Sequence, residues 1–83
     1  MYQIRLIRQA EKDLDTFPRQ MFNRIKAELI KLQQNPRPHG CEKLTQQDGY
    51  RIRVGDYRVL YRIEDPSKEI YIYRIKHRKE AYR

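Results

Sequence analysis

The stretch Tyr50–Ile63 reads YRIRVGDYRVLYRI and places four arginines in fourteen residues, interleaved with tyrosines and branched aliphatics. Aromatic and β-branched residues at every second position favour a strand. Gly55-Asp56 in the middle is a two-residue hairpin signal. Such a loop fixes the pairing: Val54 with Tyr57, Arg53 with Arg58, Ile52 with Val59, Arg51 with Leu60 and Tyr50 with Tyr61. One face then carries Tyr50, Ile52, Val54, Tyr57, Val59 and Tyr61, and the other carries Arg51, Arg53, Arg58 and Leu60.

Asp65-Pro66-Ser67-Lys68 marks a second turn, and Glu69–Ile75 reads as a third strand. Across a four-residue turn Ile63 pairs with Ile70, Arg62 with Tyr71, Tyr61 with Ile72 and Leu60 with Tyr73. The apolar face gains Ile63, Ile70 and Ile72, and the open face gains Arg62, Tyr71 and Tyr73. Strict alternation then drives Arg74 into the apolar face opposite Val59. A bulge between Tyr73 and Ile75 would remove that conflict.

Towards the N-terminus the period changes. Met1–Ile7 alternates, with Tyr2, Ile4 and Leu6 on one face, and reads as a strand. Gln9–Phe17 sets Ala10, Leu14 and Phe17 at helical spacing. A second helix spans Pro18–Gln34 with Met21, Phe22, Ile25, Leu29 and Leu32 in one core-facing stripe. Thr16 is placed to cap it, and Asn35-Pro36 stops it. Asn35–Gly49 reads as a connecting loop. The fold class is α+β: an N-terminal strand, a helical hairpin, then a three-stranded antiparallel meander with the helices packed on one sheet face. The final KHRKEAYR is a basic tail, open to packing or extending.

The chain of 83 residues, with 39% hydrophobic and 36% charged residues, fits one domain over 1–83. Seven tyrosines and two phenylalanines argue against disorder. A net charge of +8 points to a polyanionic partner. Cys41 stands alone, which excludes an internal disulfide and a cysteine zinc cluster and suits a reducing cytoplasm. Arg5 and Arg8 interrupt the apolar start, against a signal peptide, and no run approaches a membrane span. No phosphate-binding loop, dinucleotide fingerprint or zinc motif is present, so neither cofactor nor metal is expected.

The open face concentrates charge. Arg53 opposite Arg58 is unfavourable, by roughly 1–3 kcal/mol at ~5 Å, and these strand positions offer no acidic neighbour. Guanidiniums match phosphate oxygens in bidentate geometry, and nearby tyrosines can stack on unpaired bases. His77 is an acid–base candidate because imidazole titrates near neutrality. Arginines with a tyrosine or histidine and no metal suit attack of an RNA 2′-hydroxyl on its own adjacent phosphate: the substrate supplies the nucleophile, and the protein orients it, neutralises charge and moves protons.

The order of elements, Lys43-Leu44, the segment GYRIRVGDYRVLYRI (Gly49–Ile63) and HRKEAY (His77–Tyr82) together resemble the RelE/ParE toxin superfamily of type II toxin–antitoxin systems, on the RelE side. The resemblance spans nearly the whole chain. It implies a cytoplasmic toxin held by a cognate acidic antitoxin, which enters the ribosome and cleaves mRNA without metal. It carries the catalytic set over to Arg51, Arg53, Arg58, Arg78 and Tyr82, with Lys76 as the alternative to Arg78. His77 joins them on its chemistry, and Lys43, Arg62, Tyr71, Tyr73 and Lys76 form the RNA-binding set. Arg51 and Arg53 stand where the compared RelE members carry lysine. Arginine stays protonated, so these positions support phosphate binding over proton abstraction. Two other readings remain open: a ParE-like toxin that inhibits DNA gyrase, and a non-catalytic basic module that binds RNA or the ribosome.

Overall fold

The computed structural model describes residues 1–81, with side chains to residue 79. The alternating segments become strands and the 3.6-period segments become helices, in the order β1 (Gln3–Leu6), α1 (Arg8–Asp15), α2 (Arg19–Gln34), β2 (Glu42–Lys43), β3 (Tyr50–Val54), β4 (Tyr57–Glu64), β5 (Glu69–His77) and α3 (Arg78–Ala81). Among the described residues the strands form one five-stranded sheet in the order β1-β5-β4-β3-β2. β1 runs parallel to β5, and the other neighbours are antiparallel.

All five pairs expected of the β3–β4 hairpin form, from Tyr50–Tyr61 to Val54–Tyr57. Gly55 makes the tight turn possible with φ +60°, a left-handed conformation that costs a glycine little. Ile63–Ile70, Arg62–Tyr71 and Tyr61–Ile72 also pair as expected, and there the register slips: Leu60 pairs with Arg74. Tyr73 is therefore the extra residue of a β-bulge. Past it Ile75 faces Val59, Lys76 faces Arg58 and His77 faces Tyr57.

The core lies between the helices and one sheet face. Ala10 and Leu14 of α1 and Ile25, Leu29 and Leu32 of α2 pack on Ile52, Val54, Val59, Tyr61, Ile70, Ile72 and Ile75. Burying side chains of this size contributes about 1.5–3 kcal/mol each. Tyr61 is fully buried, and its hydroxyl donates to the Pro36 carbonyl at 2.7 Å, which seats the loop after α2 on the sheet.

Three expectations need correction. Phe22 is 37% exposed, so the α2 stripe narrows to Ile25, Leu29 and Leu32, with Met21 at its margin. Thr16 does not cap α2, whose cap position is Pro18; its hydroxyl donates to the Asp13 carbonyl at 2.7 Å and closes the end of α1. The segment read as an unbroken loop contains β2, in which Glu42 pairs with Arg51 and Lys43 with Tyr50. The described start of the basic tail packs: β5 continues to His77, and the Arg78 N–H donates to the Asp56 carbonyl at the hairpin turn, at 2.7 Å.

Candidate functional site

The sheet face away from α1 and α2 presents rows of polar side chains at the inter-strand spacing of about 4.8 Å. The central row is Arg53, Arg58 and Lys76, on β3, β4 and β5. It is cationic from end to end. Arg53 is exposed, Lys76 is half-buried and Arg58, in the middle, is 9% exposed. α3 packs against β4 and β5. The Arg53 Nε–H also donates to the Gly55 carbonyl at 3.2 Å, which holds its stem along the hairpin turn.

The bulge composes this row. Strict alternation along β5 would put His77 on the open face and Lys76 among the helices. One inserted residue exchanges them. His77 lies on the helix side, its ring edge-on to Tyr57 at 5.4 Å between centroids, with Nδ1 accepting the Lys79 N–H at 3.3 Å. The structure thus brings Arg51, Arg53, Arg58 and Lys76 together and leaves His77 across the sheet from them. Arg78 opens α3 beside the hairpin turn. Tyr82 lies outside the described residues. Lys43 pairs with Tyr50, a residue of the helix-side face, and so points away from the row.

β2 supplies a carboxylate that sequence reading missed. Glu42 stands opposite Arg51 on the open face and accepts from the Arg51 Nη2–H at 2.8 Å. Its carboxyl is held below the usual carboxylate range first by this hydrogen bond, then by the charge of Arg51, with the charge of Arg58 a smaller contributor in the same direction. The expectation of a face without an acidic neighbour is therefore corrected. A two-residue strand has no periodicity to detect. The one available signal was the distance from Tyr50: a turn over residues 44–49, closed by the Leu44 N–H on the Gly49 carbonyl at 2.9 Å, returns Glu42 to Arg51.

At the other end of the face the aromatics gather. The Arg62 guanidinium lies over the Tyr71 ring, 4.8 Å from its centroid, and its Nε bonds Glu64 at 3.0 Å. The Tyr71 hydroxyl donates to Glu69 at 3.2 Å. Tyr73, projected by the bulge, reaches the 44–49 turn, where its oxygen accepts from the Gln47 amide at 3.2 Å. Burial pushes the Tyr73 phenol above its ordinary range, with the charge of Arg62 opposing. The face thus joins a cationic row, a carboxylate–guanidinium pair and a platform of rings. That set can bind a phosphate chain, stack on unpaired bases and accept a proton. Among the described residues no three histidine, cysteine or acidic side chains converge on one point, and no helix is long and apolar enough to cross a membrane.

A family model described as the ParE toxin of the type II toxin–antitoxin system, parDE, matches residues 4–82. Among solved structures, an archaeal RelE–RelB complex from Pyrococcus horikoshii OT3 contains a chain 30% identical to this one, with a TM-score of 0.80 over 93% of this chain and 94% of that one. A RelBE toxin–antitoxin complex from Mycobacterium tuberculosis contains a chain at 28% identity and TM-score 0.81, covering 92% and 96%. The intact RelBE complex of Escherichia coli matches at TM-score 0.82 but 18% identity, over 93% and 96%, a likeness of fold. No curated protein gives a significant sequence match.

Proposed function

The chain belongs to the ParE toxin family of type II toxin–antitoxin systems, and from that premise we propose that it is a ribosome-dependent endoribonuclease whose open sheet face holds and cleaves mRNA. The observation that carries this reading is the row Arg53–Arg58–Lys76, three cations in register across three strands with the middle one almost buried. Such a row offers a phosphate lying along it charge-assisted hydrogen bonds from three strands, and a transition state with more negative charge gains more.

The reaction assigned to the face is attack of a 2′-hydroxyl oxygen on the neighbouring phosphorus. The 2′-O–P bond forms, the P–O5′ bond breaks, and the products are a 2′,3′-cyclic phosphate and a 5′-hydroxyl. Arg53, Arg58 and Lys76 neutralise the developing charge, and Arg51 fixes Glu42. The Glu42 carboxylate, ionised at neutral pH, accepts the proton of the 2′-hydroxyl. Tyr82 is kept as the candidate donor to the leaving O5′, on the family resemblance. The Arg62–Tyr71 pair and Tyr73 are assigned to base stacking. Arg78 remains a phosphate contact at the rim. A cognate antitoxin with an acidic segment is the expected partner, in keeping with the RelE–RelB pairing in the similar complexes.

The test is 5′-end mapping of a reporter mRNA in a translating extract, with the wild type, Arg58→Ala and a ribosome-free control. Cuts within codons that need ribosomes and fade by about 100-fold or more in the variant, the scale of a lost charge-stabilising donor, support the reading. Intact mRNA with translation blocked makes the face a binder. Intact mRNA with normal translation turns the question to gyrase, since the family model also takes in ParE toxins.

A further inference from the structure

The bulge at Tyr73 decides which side chains β5 contributes to the open face, yet a bulge locally disrupts the ladder and bends its strand. β1 does not hold it. The β1–β5 pairing ends at Leu6–Ile72, followed by the Ile7 N–H on the Ile72 carbonyl at 2.9 Å. Beyond that point α1 takes over with a side chain. Asp13 is 11% exposed, and its Oδ2 accepts from the Ile75 N–H at 2.8 Å and from the Arg74 Nε–H at 2.9 Å. Its Oδ1 accepts from Arg74 Nη2 and from the Gln9 amide, both at 3.4 Å. Arg74 is thereby drawn past the strand edge to α1, which leaves its position opposite Leu60 without a guanidinium over the sheet.

We infer that Asp13 is a positioning residue: by holding the Ile75 N–H and the Arg74 side chain it fixes the phase of β5 beyond Tyr73, and so puts Lys76 into the cationic row and Tyr73 against the 44–49 turn. The consequence for cleavage rests on the nuclease reading above; the control of register does not. The geometry calls for a carboxylate. One oxygen receives a backbone and a guanidinium donor together, and the second receives two weaker ones. An asparagine retains an acceptor for the Ile75 N–H but loses the charge and turns donors towards Arg74.

The experiment compares the wild type, Asp13→Asn, Asp13→Ala and Thr16→Ala, the last loosening the end of α1 without touching the carboxylate. Backbone NMR reads the cross-strand contacts of Arg58 with Lys76 and of Leu60 with Arg74, and the exchange protection of the Ile75 amide. Cleavage on translating ribosomes is measured at a temperature where each variant is folded. In Asp13→Ala the Arg58–Lys76 contact and the Ile75 protection should be lost and cleavage should fall about 10- to 100-fold, the cost of misplacing a group by about 1 Å. Asp13→Asn should restore part of both, and Thr16→Ala should keep both. An Asp13→Ala protein that keeps the wild-type register overturns the inference, as does one that loses it while cleaving normally. Cleavage falling equally in Thr16→Ala reduces Asp13 to general stability. If Asp13→Ala does not fold, wild-type register and cleavage in Asp13→Asn overturn the inference. If the wild type itself does not cleave, the nuclease reading fails, and the register arm alone decides whether Asp13 sets the strand.

Discussion

Replacing Gly49 with alanine tests how tightly the 44–49 turn is locked onto the site face. Gly49 is buried with φ +129°, and an added Cβ would lie 2.6 Å from the Tyr61 carbonyl oxygen, 3.3 Å from the Tyr73 hydroxyl and 3.5 Å from Leu44 Cδ1. Two costs add. A non-glycine residue in such a backbone region costs about 1–3 kcal/mol. An ordinary carbon–oxygen contact is about 3.3 Å, so the strand must also move by roughly 0.7 Å against β4 in a close-packed interior, at about 1–3 kcal/mol more. Gly40 is the internal control: its φ is +93°, but an added Cβ meets nothing within 4 Å. Gly40→Ala should therefore cost only the backbone share, about 1–3 kcal/mol, and Gly49→Ala about 2–6 kcal/mol in all. In a domain of this size about 1 kcal/mol moves Tm by 4–8 °C. Circular-dichroism melts should thus put Gly49→Ala at least about 4 °C below Gly40→Ala. Equal losses in the two variants would refute the claim that contact with the Tyr61 carbonyl, and not conformational freedom alone, demands glycine at 49.

Three further outcomes follow from the same packing. Tyr61→Phe strands the buried Pro36 carbonyl that now accepts at 2.7 Å, so urea unfolding should show a loss of about 1–2 kcal/mol with an unchanged m-value. Burial pushes the Asp13 carboxyl up, but the hydrogen bonds from Arg74, the Ile75 N–H and Gln9, with the charge of Arg74, outweigh it and leave the group below its ordinary value. Its contribution is therefore complete above the unfolded aspartate pKa of about 3.9 and disappears as pH falls through the lower folded value; Arg74 faces it, with His77 and Tyr57 across the same cavity. Tm measured from pH 6 down to pH 2 should fall less steeply in Asp13→Asn than in the wild type. Lys76→Gln should lower the slope of log binding constant against log salt for a single-stranded RNA by about 0.7, one phosphate contact, and an unchanged slope would remove Lys76 from the binding row.

The hairpin was legible because its signals are local and agree. Gly55-Asp56 fixes the loop length, and alternation on both sides fixes which face is dry, so five pairs followed from fourteen residues. The need for a bulge was legible too, since Arg74 had no acceptable place in the apolar face. Its place was legible to within Tyr73 to Ile75, and the bulge falls on Tyr73. What holds it was not, because the groups that do so belong to Asp13, some sixty residues earlier in the chain. His77 and Lys76 are the residues most affected, because moving one residue of register reverses their faces. Phe22 failed for another reason: helical spacing gives an arc of candidates, and the angle at which α2 meets the sheet selects Ile25, Leu29 and Leu32 from it. Glu42 needed the fold itself, since a two-residue strand exists only through its partner.

These particulars explain how a small basic domain carries so many guanidiniums on a sheet. Cohesion is concentrated on one face, where α1 and α2 cover Val59, Tyr61, Ile70 and Ile72 at 0% exposure. The other face contributes little to that core and can carry repulsion. Its ends are neutralised: Glu42 takes Arg51 and Glu64 takes Arg62. Both pairs are partly in solvent and contribute little to stability. Their effect is to occupy Arg51 and Arg62 with carboxylates on either side of the row Arg53, Arg58 and Lys76. Arg74, which the shifted register sets opposite Leu60 next to them, is taken by Asp13 at the strand edge. Glu42, Glu64 and Asp13 thus hold guanidiniums that flank the row, and the row itself sets three cationic residues in register across three strands. Such a register suits a face that meets a phosphate chain.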